Sequence, residues 1–348
     1  MMKEIGIGII GCGSVAEWKY LPELAKLPEA SCRAFFGGRA AQAQQKYGAP
    51  DSVVCTSLAE LLARDDVDAV CVCTPNHTHS SITVAALEAG KHVICEKPMA
   101  IGVEEAAAMC QAAKRSGKIL TVGHQLRFHP TAQALYRFIQ DGKMGRPYFA
   151  RASMVRRLGI PSWGHFTDLS MQGGGALIDL GTHALDLALW LMDDYDPAYC
   201  SAVCYQERCQ QPTSANRWGV WNRENFQVED AAFGQIVMKS GAVISIDAAW
   251  ALHVPKDREE ILELCGPYSG AVWTPEQCSI NGVRNDQLYD EPLCRGDAES
   301  ANRSQLQNFL RAVQGREEVL VTAEQSFTVC RVLNGLYRSA REGKPVLF

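Results

Sequence analysis

The sequence predicts an α/β protein, with an N-terminal doubly wound parallel sheet followed by an α+β domain with an open, mostly antiparallel sheet. Three observations carry this expectation. The chain opens on an unbroken apolar run, Ile5 to Ile10, that enters Gly11-Cys12-Gly13-Ser14-Val15-Ala16. Strand-like and helix-like segments then alternate to about residue 123, which implies right-handed crossovers in a parallel sheet. Beyond residue 124 the rhythm becomes strand-rich. The domains are therefore expected at 1–123 and 124–348.

The first strand lacks alternation, as a strand buried on both faces does. The following Gly-x-Gly-x-x-Ala turn allows a tight bend, close backbone approach to a pyrophosphate, and close helix packing at Ala16. Trp18, Leu21, Leu24 and Leu27 give the helix behind it an apolar stripe. Ser31 to Phe36 reads as the second strand, and Ala40 to Tyr47 as a helix ended by Gly48. Ser57 opens another helix with Glu60 as its capping-box partner. Val67 to Thr74 is a buried strand, and Ser80 to Ala89 a helix closed by Gly90. His92 to Cys95, the helix Val103 to Ser116, and Ile119 to Val122 complete the first half. In the second half, Thr131 to Asp141 and Thr182 to Met192 read as helices. Tyr148 to Arg156, Tyr199 to Gln206, Ala231 to Met238, Val243 to Trp250 and Ile261 to Cys265 read as strands. Two helices, Ala301 to Val313 and Ala323 to Glu342, end the chain.

Composition narrows the function. A net charge of −5 gives no electrostatic footprint for nucleic acid. No apolar run reaches membrane-spanning length, and the sequence enters its first strand without a signal peptide. The 14 cysteines are scattered without a Cys-x-x-Cys pair. They read as reduced thiols, with no metal site, which points to the cytoplasm.

Ligands of doubly wound sheets sit beyond the carboxyl ends of the strands. Gly11, Thr74-Pro75-Asn76, Glu96-Lys97-Pro98 and Gly123-His124 all fall there. Lys97 follows a buried strand, where partial desolvation lets a lysine orient a hydroxyl; the plain alternative is a strand-end salt bridge with Glu96. Asp179 and His183, four apart after Gly173-Gly174-Gly175, share a helical face and offer a general base near neutral pH. The plain alternative is a capping Asp and a packed His. Asp186, three residues further on, reads as structural or as a support behind the site. Arg127, His129, Arg156, Trp163 and His165 combine donors with an aromatic face, as a polyhydroxylated ligand requires. Asn76-His77-Thr78-His79 reads as a helix start rather than a metal pair.

Together these motifs resemble the glucose–fructose oxidoreductase, inositol dehydrogenase and rhizopine-catabolism family, Gfo/Idh/MocA. The matching residues are Gly11 to Ala16, Thr74-Pro75-Asn76-His77, Glu96-Lys97-Pro98 and Gly173 to His183, in the family's order and spacing. The resemblance implies a Rossmann domain, an α/β domain whose open sheet commonly serves assembly, and hydride transfer between a nicotinamide and a sugar or cyclitol carbon. From the residues themselves, the strands from Tyr199 to Cys265 are expected to rest one face on the helices around Ala184 to Met192, and Val203, Phe233, Ile244 and Ile246 supply apolar side chains that a partner subunit would cover, in a homodimer or homotetramer. Lys97 would align the hydroxyl, His183 would take its proton and Asp179 would support both; Lys97, Asp179 and His183 would also contact substrate. The cofactor would lie against Gly11, Gly13, Ser14, Val15, Thr74, Pro75, Asn76, His79, Glu96 and Lys97. One departure concerns specificity. Family members preferring NAD usually carry an acidic residue at the end of the second strand, whereas this chain has Gly37-Gly38-Arg39 and no acidic residue until Asp51. NADP is therefore expected over NAD, held at Gly37, Gly38 and Arg39. The rival readings are a glycosidase with a retained nicotinamide and a non-catalytic dinucleotide-binding regulator.

Overall fold

A computed structural model describes residues 4–296 and 300–348. Two compact units are present, Met1–Gln125 with Glu299–Phe327 and Leu126–Ala298 with Thr328–Phe348. The first contains strands β1 (Ile5–Cys12), β2 (Ala30–Gly38), β3 (Gly48–Val54), β4 (Ala69–Val72), β5 (His92–Cys95) and β6 (Leu120–Val122). They pair in parallel in the order β3-β2-β1-β4-β5-β6. That order places β1 at the centre, beside the switch point where dinucleotides bind. Ile7, Ile9 and Ile10 are fully buried, which accounts for the unalternated opening run. β3 escaped the sequence reading because Pro50 and Asp51 interrupt it, as suits a half-exposed edge strand.

The domain expectation needs one correction. The helix Ser300–Val313 belongs to the first unit, not the second. Leu306, Phe309 and Leu310 join the core of Ile7, Ile9 and Phe35. Gln305 donates to the Val122 carbonyl (3.1 Å), and Thr121 to that of Val321 (2.8 Å). The apolar stripe of this helix was legible; which sheet it covers was not. Trp18 is likewise corrected, for it lies 71% exposed while Leu21 and Leu24 are buried. A wide π-type turn at Ala16–Tyr20 shifts the helix register there.

The second unit contains β7 (Phe149–Arg156), β8 (Pro197–Tyr205), β9 (Ala231–Met238), β10 (Val243–Ala249) and β11 (Arg258–Cys265). It continues with β12 (Ser269–Trp273), β13 (Gln277–Arg284), β14 (Gln287–Arg295) and β15 (Val346–Leu347). Their order is β14-β13-β12-β11-β7-β10-β9-β8-β15, and only β7 and β10 pair in parallel. The helix Thr182–Met192 packs on β7, β10 and β11. The helical stretch Leu169–Met192 is long and apolar enough to cross a membrane, but 89% of that window is buried inside the protein. It is a core helix.

Candidate active site

In the first unit the Gly-x-Gly-x-x-Ala turn does what its residues dictate. Gly11 takes φ 90°, and a Cβ there would lie 2.6 Å from the Cys73 carbonyl oxygen. At Gly13 a Cβ would meet nothing within 4 Å. The start of the helix is thus open where a pyrophosphate would need room. The residues fit a dinucleotide on this observation.

At the end of β5, Glu96 is buried and its Oε1 accepts from Lys19 Nζ (2.6 Å) and the Tyr20 hydroxyl (2.7 Å). Burial pushes the Glu96 carboxyl up, but the Lys19 charge and these hydrogen bonds bring it below the usual range. Lys19 also reaches the Gly123 carbonyl and Gln125 Oε1 (3.0 Å). The strand-end ion pair weighed from the sequence is therefore made by Lys19. Sequence reading missed Lys19 and Tyr20, since their partner lies more than 70 residues away. Lys97 is half-buried beside them, and its amide donates to Glu96 Oε2 (3.1 Å).

Asn76 to His79 do open helical turns, as expected, but neither Pro75 nor Thr78 makes a side-chain cap. The buried His79 ring instead spans the carbonyls of Pro98 (2.7 Å) and Thr74 (2.8 Å). Burial lowers its pKa while the two carbonyls pull it upward. It ties the Thr74-Pro75 turn to the Lys97-Pro98 turn. Arg39 is half-exposed and pairs with Glu17 at 2.9 Å, so a carboxylate does stand near the end of β2, supplied by the first helix rather than by Asp51. Asp51 pairs with Arg33.

In the second unit, Asp179 and His183 sit on one turn, both half-buried. Trp250 Nε1 donates to Asp179 Oδ2 (2.8 Å), and Arg156 stands 4.0 Å from the same oxygen. Trp250 is itself fully buried, edge-on to Phe166 and Phe226. Arg156 lies over the Trp218 ring (5.0 Å), and Trp218 meets Trp163 edge to face (4.9 Å). Trp163 packs on Phe166, and His165 is exposed in the same loop. Arg156, Trp163 and Asp179 are thus connected through an aromatic cluster. Trp218 and Trp250 were not foreseen; in the sequence they are only tryptophans in a loop and at a strand end.

Arg127 and His129 do not belong to that cluster. Arg127 is fully buried and grips Asp186 with Nε and Nη2 (2.6 Å at the shortest). A buried bidentate pair of this kind costs about 3–5 kcal/mol to break on one side, so both residues serve the fold. His129 is buried, bonded to the Thr131 hydroxyl (2.9 Å) and edge-on to Trp273. Residue type suggested a ligand contact for both, with a packing contact as the plain alternative, and in the structure both are buried and bonded within the protein.

The oxidoreductase family with an NAD-binding Rossmann fold, GFO/IDH/MocA, matches residues 5–124, and the GFO/IDH/MocA C-terminal domain matches residues 132–267. The chain belongs to the GFO/IDH/MocA family. Relatives bear the membership out along the whole length. A D-glucoside 3-dehydrogenase of Escherichia coli (strain K12) is 32% identical over 98% of this chain and 96% of its own. A 1,5-anhydro-D-fructose reductase of Ensifer adhaerens is 30% identical over 77% of this chain and 76% of its own. A levoglucosan dehydrogenase in complex with NADH and levoglucosan shares the fold with TM-score 0.85 over 99% of both chains, at 21% identity. As a GFO/IDH/MocA member the protein is an enzyme, an oxidoreductase on an NAD-binding fold.

Proposed function

We propose that this enzyme oxidises a secondary hydroxyl of a neutral sugar, glycoside or cyclitol, with NADP preferred over NAD. One observation carries the reading. A carboxylate held by the Trp250 indole stands one helical turn from His183, beside the Arg156 guanidinium and the Trp163–Trp218 rings. Aromatic faces with few, placed polar groups suit a ring of hydroxyls. D-Glucosides and levoglucosan, named for the relatives above, are substrates of this class.

A bound nicotinamide would supply the hydride acceptor. In this assignment Lys97 donates to the substrate oxygen and stabilises negative charge on it. His183 takes the hydroxyl proton, and Asp179 orients the substrate and supports the imidazolium that forms. The Trp250 indole, which holds one Asp179 oxygen, supports this role. Gly11, Gly13, Ser14 and Val15 would cradle the pyrophosphate, with Thr74, Pro75 and Asn76 along the strand ends. Arg39 would pair with the 2′-phosphate. Its present partner Glu17 makes an exposed ion pair, worth at most about 1 kcal/mol, which a phosphate can displace. The reduced thiols fit a reducing compartment, the cytoplasm.

A screen of methyl glucosides, levoglucosan and inositols with NADP and NAD, read at the nicotinamide absorbance, tests the proposal. Net reduction of NADP by a neutral sugar is expected, and His183→Ala should lower kcat about a hundredfold or more while cofactor still binds. Turnover of sugar phosphates alone, or full activity of His183→Ala, would overturn it. Release of free sugar without net reduction would support the retained-nicotinamide glycosidase instead.

A further inference from the structure

Every helix begins with four amide N–H groups that have no partner within the helix. The helix carrying Asp179 and His183 begins at the glycine run, and its first internal bond is Asp179 N–H to the Gly175 carbonyl (3.0 Å). The amides of Gly175, Ala176, Leu177 and Ile178 are therefore the four to be satisfied. Two residues take all four. The Glu229 carboxylate accepts from Gly175 and Leu177 (2.9 Å each), and its main-chain carbonyl accepts from Ala176 (3.1 Å). The Tyr337 hydroxyl accepts from Ile178 (3.0 Å) and donates to Glu229 Oε1 (2.7 Å).

Glu229 arrives from the start of β9 and Tyr337 from the helix Ala323–Glu342. Both are far in sequence from the turn they hold. The glycine run makes their approach possible. A Cβ on Gly174 would lie 2.1 Å from the Tyr337 oxygen, and one on Gly175 would lie 1.9 Å from the Glu229 carbonyl oxygen. The close approach that these glycines permit is thus made by the protein itself. The Glu229 carboxylate is buried and faces neutral donors at this helix start, where negative charge is favoured. Burial pushes the carboxyl up, against the pull of Tyr337 and of the backbone amides of Leu177, Gly175 and Glu229 itself.

We propose that Glu229 and Tyr337 are positioning residues for the reaction: by holding the four leading amides they fix the rotation and height of the turn that presents Asp179 and His183. Neither touches substrate. The inference rests on the assignment of His183 and Asp179 under the proposed function. Its consequence is specific, because displacing a general base by a fraction of an ångström to 1 Å slows the chemical step without loosening substrate or cofactor.

Tyr337→Phe removes one hydroxyl and leaves no cavity. Glu229→Gln keeps one acceptor oxygen and sets an amide N–H₂ against the backbone donors. Both variants are to be assayed with levoglucosan and methyl β-D-glucoside, in parallel with His183→Ala. We expect kcat to fall about tenfold or more in Tyr337→Phe and in Glu229→Gln. KM and the cofactor dissociation constant should stay within about twofold, and the primary deuterium isotope effect on kcat should rise as hydride transfer becomes limiting. A fall in melting temperature with kcat within twofold of wild type would show a purely structural cap and overturn the inference. A change confined to KM would overturn it too. If His183→Ala retains full activity the site assignment itself fails, and the inference with it; if His183→Ala is inactive while both other variants turn over normally, only the inference fails.

Discussion

At the scale of single residues, chemistry was legible where a side chain meets its partner locally, and illegible where the partner comes from afar. Asp179 and His183 share a turn, as their spacing of four implied. Lys19 reaches Glu96, and Trp250 reaches Asp179, across 77 and 71 residues; no pattern announces either. Arg127 shows the opposite failure, since an arginine in a polar-aromatic stretch suggests a ligand contact and the fold spends it on Asp186. The Glu17–Arg39 pair belongs with these long-range contacts and yields a prediction on cofactor choice. If Arg39 holds the 2′-phosphate, Arg39→Ala should weaken NADP binding by about 1.5–3 kcal/mol and leave NAD nearly unchanged. Glu17→Gln removes a competing carboxylate and should tighten NADP, by no more than the ~1 kcal/mol of an exposed pair. Fluorescence titration of both cofactors measures each constant; an equal loss for NADP and NAD in Arg39→Ala would contradict the assignment.

At the scale of elements, strong periodicity predicted the first unit well. Helices Ala40–Tyr47 and Val103–Ser116 end where their Gly signals stand, at Gly48 and Gly117. β3 was missed for its Pro and Asp, β12 because Ser269, Gly270 and Ala271 are weak strand formers although its burial alternates, and β13 and β14 because they are half-wet and their alternation is weak. The short strand β5 carries a further pH dependence. His92 opens it, and its Nδ1 accepts from the Ile119 amide at 3.1 Å, so the ring must be neutral there. Burial, helped by the Lys118 charge, lowers its pKa from 6.5 to about 4. The sign follows: above pH 6.5 the ring is neutral in both folded and unfolded chains, and the bond contributes in full. As pH falls from 6.5 toward 4 the unfolded chain gains a proton that the folded one refuses, so stability is lost across that window. His92→Asn should lower the urea midpoint at pH 7 and lose less than wild type between pH 7 and pH 4.5. A wild-type midpoint that falls no more steeply than that of His92→Asn over this range would rule the account out.

At the scale of the whole molecule, the second unit's sheet leaves one question that its two faces answer differently. The inner face rests on the helices, and Ile244 and Ile246, expected among the apolar side chains that a partner subunit covers, are buried there at 0% and 1% exposure. Nothing in a strand's sequence says which side the helices take. The outer face carries Tyr199, Val203 and Tyr205 on β8, which remain 40–49% exposed, with Phe233 on β9 tilted against Tyr205 at 6.1 Å. Arg151 and Glu263 make an ion pair farther across the sheet. Exposed aromatic and aliphatic side chains grouped on one sheet face, with charge to one side, are what a self-complementary interface uses. A two-fold pairing of such faces is the simplest cover, and sheets of this extent can supply the roughly 1,200–2,000 Å² of a stable interface. We therefore propose a homodimer or a dimer of dimers. Light scattering at micromolar concentration should return two or four times the chain mass. Val203→Asp together with Tyr205→Asp should dissociate it, because each copy would bury two unpaired carboxylates against its twin, while the fold, in which both side chains are exposed at 49% and 45%, should keep its far-ultraviolet dichroism. A monomeric wild type would defeat the proposal, and an intact oligomer in the double variant would place the interface on another surface.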